Sequence, residues 1–88
     1  MLSTNAFAMS KTEICSFRAR FVESFAQSRD GGKSEKQTLI EARDMFRKKF
    51  GTNAPDVKTY VEMVYKFREF TPAQMRQVTE MSCLKEND

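Results

Sequence analysis

VKTYVEMVYKFREF, residues 57–70, is the stretch on which the fold turns. At about 100° per residue, Val57, Tyr60, Val61, Met63, Val64, Phe67 and Phe70 cover more than half the circumference of a helix, with Tyr65 at the edge. The polar side keeps only Lys58, Glu62, Lys66 and Glu69. A helix this broadly apolar must be covered from several sides. The stretch therefore predicts a central helix enclosed by its neighbours.

The neighbours are marked by their caps. Ser10 with Glu13 fits a capping box, in which each side chain satisfies a free backbone N–H of the other residue. Ser34 with Gln37 repeats the pattern, and Asn53 with Asp56 opens a helix around Pro55. Thr71-Pro72-Ala73-Gln74 places Thr at the N-cap and Pro at the first helical position. Asp30-Gly31-Gly32 and Gly51 supply helix ends. The reading is all-α: a compact bundle of four helices over about 11–29, 35–50, 54–70 and 72–83, the third central. Residues 1–88 form one helical domain, with 1–9 and 84–88 expected to be flexible.

Composition agrees with that class. The chain of 88 residues is 40% hydrophobic and 31% charged, the balance of a folded domain and not of a disordered tail. Its 3 Gly and 2 Pro are too few for a turn-rich β-barrel or sandwich. No apolar run approaches the roughly 20 residues needed to cross a bilayer, so no membrane association is expected. The opening residues lack the parts of a signal peptide. Cys15 and Cys83 have neither metal spacing nor scaffold density. They read as reduced thiols of a cytoplasmic protein, with a disulfide between the terminal helices as the lesser alternative.

Phe17, Phe21 and Phe25 recur every four residues and form an aromatic ridge on the first helix. The ridge reads first as core. If any of it serves as a homodimer seam or docking site, Phe25 is the choice, because it stands near the Gly31-Gly32 turn. As core residues, Phe21 and Phe67 should each cost about 3–5 kcal/mol when cut to Ala.

The net charge of +3 is concentrated. Residues 33–51 hold six bases (Lys33, Lys36, Arg43, Arg47, Lys48, Lys49) against Glu35, Glu41 and Asp44, and the rest of the chain sums to zero. Lys36, Arg43 and Arg47 fall on one side of the second helix beside Ile40, a stripe suited to an acidic protein surface or to phosphates. Against this, Arg47, Lys48 and Lys49 suit the dipole of a helix C-terminus, and Glu41 and Asp44 stand within pairing reach. The run TLIEARDMFRKKFG, residues 38–51, resembles the opening helix of TetR-type repressors. The family's second and third helices do not follow it, so the likeness reads as convergence on an amphipathic helix. As a recognition helix, PAQMRQVTEM offers Gln74, Arg76, Gln77 and Thr79 to a groove and almost no grip on phosphates.

Catalytic parts are few. Without His, the commonest general base near neutral pH is missing, and a cysteine nucleophile lacks its usual partner. Gly31-Gly32-Lys33-Ser34 is not a phosphate loop, since the earlier glycine and the preceding strand are wanting. No catalytic, cofactor or metal residues are assigned, and an enzyme is not expected. The expectation is a small cytoplasmic protein that binds a protein partner as an inhibitor, anti-activator or adaptor. The expectation includes encoding by a phage or other mobile element, with an anti-defence inhibitor as one form. Lys36, Ile40, Arg43 and Arg47 are the candidate contacts. The alternatives are a dimeric DNA-binding regulator, with Lys48, Lys49 and Arg76 as nucleic-acid contacts, and a self-assembling structural subunit.

Overall fold

The computed structural model describes residues 10–50 and 57–86, with residues 49 and 50 described by backbone alone. Four α-helices follow one another: α1 (Lys11–Asp30), α2 (Glu35–Phe50), α3 (Val57–Lys66) and α4 (Pro72–Glu86). No strand occurs among the described residues. The expected cap around Asn53, Pro55 and Asp56, the Gly51 helix end and the flexible stretch 1–9 all lie outside the described residues.

Caps start three of these helices. The Glu13 N–H donates to Ser10 Oγ at 3.1 Å and the Ser10 N–H to Glu13 Oε1 at 2.9 Å, completing the box. Thr71 and Gln74 exchange the equivalent pair at 3.1 and 2.9 Å. At α2 the Gln37 N–H finds Ser34 Oγ at 3.1 Å, while the Gln37 side chain turns to Glu41 instead of closing the box. Gly32, at φ 97°, supplies the left-handed residue after α1 that a side chain would resist.

The apolar core gathers Val22, Phe25 and Ala26 of α1, Ala42 of α2, Val57, Val61, Val64 and Tyr65 of α3, and Met75 of α4. Phe25 is thus a buried core ring, which removes it as the docking residue of the aromatic ridge. Phe21 is half-buried and packs 4.4 Å from Phe46, tying the ridge to α2. The widest seam in the molecule runs between α1 and α4, and α1 touches all three other helices. The broad face of α3 is buried against α1 and α2.

Two boundaries differ from expectation. α3 ends at Lys66 and not at residue 70, and Arg29 takes the Val64 carbonyl in its last turn together with the Phe67 and Phe70 carbonyls just beyond it. Phe67, expected on the core face, leaves the helix and stands 37% exposed. α4 continues through Glu86, so residues 84–86 are helical rather than flexible.

The expectation of reduced thiols is corrected. Cys15 and Cys83 form a disulfide across the α1–α4 seam, 68 residues apart in sequence. Sequence distance concealed that α1 and α4 lie side by side, which brings the two Cα atoms to 5.5 Å.

Candidate functional site

α2 presents opposite faces to core and solvent. Thr38, Leu39, Ala42, Met45 and Phe46 turn inward, buried or half-buried. Lys36, Ile40, Arg43 and Arg47 lie on the other side within an arc of about 60°, and all four are exposed. Ile40 is 58% exposed, more than Ile14, Phe67 or Val78.

Two tethers hold this face in place. Tyr65, on α3, reaches the start of α2, where its hydroxyl donates to the Lys33 carbonyl at 2.7 Å. The phenol has one proton, so Thr38 Oγ1, also at 2.7 Å, is the donor in their contact. Ala42 then seats the next turn of α2 in the core. The outward direction of Ile40 and Arg43 follows from these inward anchors.

Electrostatics sorts the bases into two groups. Lys33 pairs with Glu41, and Lys48 with Asp44 at 3.2 Å. The Lys33 ammonium, chiefly through its hydrogen bond, holds the Glu41 carboxyl below the usual glutamate range against an opposing cost of desolvation, with the Gln37 amide adding least. The acids within reach of the stripe are therefore engaged on the other flank of α2. Lys36, Arg43 and Arg47 make no ion pair among the described residues. Three unpaired cations surround one exposed branched aliphatic side chain.

The nucleic-acid candidates do not join this stripe. Arg76 lies on α4 and pairs with Glu23 of α1 at 3.6 Å, and Gln74 spends its side-chain oxygen on the Thr71 N–H. Lys48 is held by Asp44, and the Lys49 side chain lies outside the described residues. Among the described residues no group of three or more His, Cys, Asp or Glu is placed to hold a metal ion. No described helix is long and apolar enough to cross a membrane.

Sequence reading passed over Arg29. It is 5% exposed, and its guanidinium donates to the carbonyls of Val64 at 2.8 Å, Phe67 at 3.2 Å and Phe70 at 2.7 Å, with Asp30 at 2.8 Å on Nε. The signal available was a base in the last turn of α1, which also suits that helix's own dipole and so pointed to nothing further.

Comparison of the chain with protein-family models, with curated proteins and with solved structures finds no match.

Proposed function

We propose that this chain works by binding a protein, as an inhibitor, anti-activator or adaptor, and that the outer face of α2 is the surface it presents. The observation carrying this reading is the pairing pattern: Lys36, Arg43 and Arg47 are unpaired among the described residues around an Ile40 that is 58% exposed. The complementary partner is an acidic surface with an apolar depression for Ile40. Carboxylates there would meet cations whose solvation is easily exchanged, and burial of Ile40 would add the non-polar contribution usual at the centre of an interface. A mechanism of this kind requires shape and charge and no catalytic group. Action in the cytoplasm belongs to the same proposal.

The same three cations also suit phosphates, which keeps a DNA-binding regulator as the second reading. Ile40 favours the first, because an exposed aliphatic group amid phosphate contacts is left without a partner. Self-assembly is the third reading, supported by Val78 at 45% and Met81 at 67% exposure on α4.

Affinity capture from the native source, with wild-type chain and an Arg43→Glu/Arg47→Glu variant side by side, tests the ranking. A partner that the wild type retains and the variant loses supports the first reading. Equal capture by both removes α2 from the interface. Binding to random duplex that falls steeply with added salt, with no protein retained, puts the second reading first. Sedimentation of the chain alone as a discrete oligomer supports the third.

A further inference from the structure

The lower end of the α1–α4 seam is built differently from the rest of the molecule. The buried members of the continuous core include only Met75 from α4 and begin on α1 at Val22, with half-buried Phe21 packed against them. Beyond it, the buried side chains of the seam are Cys15 and Ala19 on α1 and Thr79 and Cys83 on α4, all of them small. Thr79 Oγ1 is buried there with no hydrogen-bond partner among the described residues, an unfavourable feature that separation of the helices would relieve. The opposite side of α4 is open: Val78 and Met81 are exposed, and Val78, Met81, Ser82, Leu84 and Lys85 line a shallow groove. The Arg76–Glu23 ion pair crosses the seam a turn above this region. Small buried side chains bury less apolar area than the core above them, which with the unsatisfied hydroxyl favours low local stability. One covalent bond, between Cys15 and Cys83, closes it.

We propose that the Cys15–Cys83 disulfide is a redox latch on the C-terminal half of α4. Oxidised, the bond holds residues 79–86 against α1. Reduced, that half releases while the four-helix core above it stays assembled. The core survives because none of its members depends on the bond: Val22, Phe25, Val61, Val64 and Met75 pack among themselves, and Arg29 and Tyr65 tie α3 to α1 and to the start of α2. Release uncovers the Cys15–Ala19 strip of α1 together with the inner side of α4.

The co-reactant is a dithiol, of the class that keeps intracellular thiols reduced. Cys15 is fully buried and Cys83 nearly so, at 4% exposure, so transient opening of the last turns precedes attack. A reductant thiolate then adds to the Cys83 sulfur. The S–S bond breaks, and Cys15 leaves as a thiolate that takes up a proton. The reductant's second thiol, as thiolate, attacks its own sulfur in the mixed disulfide, and Cys83 departs as a thiolate that is protonated in turn. Two electrons pass to the protein, which ends as a dithiol, and the reductant ends as its disulfide.

Amide hydrogen exchange on the full chain tests the latch, with and without dithiothreitol, the thiol content being read by mass. With both cysteines reduced, amides of residues 80–86 should exchange more than about tenfold faster while those of 61–66 keep their protection. A Cys15→Ser/Cys83→Ser variant should show the released pattern under oxidising conditions and no response to dithiothreitol. Unchanged protection of 80–86 in the reduced protein would overturn the proposal, since the seam then holds without the bond. Loss of protection along the whole chain on reduction would overturn it as well, because the bond would then be holding the entire fold.

Discussion

Arg29 donates a 2.8 Å hydrogen bond to the carbonyl oxygen of Val64, 35 residues further along the chain. The same guanidinium takes the Phe67 and Phe70 carbonyls, so a side chain from the end of α1 serves as the C-terminal cap of α3. A helix end leaves its last four carbonyls without partners inside the helix. Here a buried cation takes one of them, that of Val64, and then the Phe67 and Phe70 carbonyls of the chain that follows the helix.

Removing that cation should leave buried carbonyls without donors. Arg29→Ala is expected to lose about 3 kcal/mol of stability, and Arg29→Lys much of the same, since an ammonium cannot reproduce the planar fork of donors. Denaturant unfolding followed by circular dichroism measures both. A loss below about 1 kcal/mol for the Ala variant would show that the cap is dispensable.

Tyr65 and Thr38 act as a unit, because the tyrosine hydroxyl accepts from Thr38 while donating to the Lys33 carbonyl. Tyr65→Phe should cost about 1–2 kcal/mol. In a double-mutant cycle, Thr38→Val should cost clearly less in the Tyr65→Phe background than in the wild type. Additive losses would mean the two hydroxyls do not cooperate.

The two phenylalanines expected to behave alike should part company. Phe21 is half-buried and in ring contact with Phe17 at 4.8 Å and Phe46 at 4.4 Å, so Phe21→Ala should cost about 3 kcal/mol. Phe67 stands at 37% exposure beside Phe70 and under the Lys66 ammonium, so Phe67→Ala should cost about 1 kcal/mol. Equal losses in chemical denaturation would contradict the placement of Phe67 outside α3.

Reversing charge on the α2 stripe should leave the fold alone. Arg43 and Arg47 are exposed and unpaired among the described residues, so the Arg43→Glu/Arg47→Glu variant should stay within about 0.5 kcal/mol of wild type per site. A thermal melt checks this, and a large drop would mean that any lost binding reports unfolding and not contact.

Acid should weaken the chain in part through two exposed carboxylates. Glu13 is held below the usual glutamate range, first by the Ser10 backbone N–H and then by the Ser10 hydroxyl, and Glu41 first by the Lys33 ammonium. A carboxylate whose folded pKa is depressed contributes stability above its unfolded pKa and loses it as pH falls through the folded value. The melting temperature should therefore decline as pH drops below the ordinary glutamate range. The decline should be shallower in Glu13→Gln/Glu41→Gln, and identical slopes would exclude these two groups as its source.

What could be read from the residues alone was local. Ser10 with Glu13 and Thr71 with Gln74 announced their helices because a cap is a contact over three residues, complete in itself wherever the chain goes. The apolar period of Val57, Val61 and Val64 likewise marked a buried face, since burial of a helix side is written at fixed spacing. The outward direction of Lys36, Ile40, Arg43 and Arg47 was legible for the same reason. Decisions that joined distant residues belonged to the tertiary structure. Only the packed helices bring Cys15 against Cys83 and seat Arg29 under the end of α3. Each of these rests on which helix lies beside which, and a period of 3.6 residues records that a face is covered without recording by what.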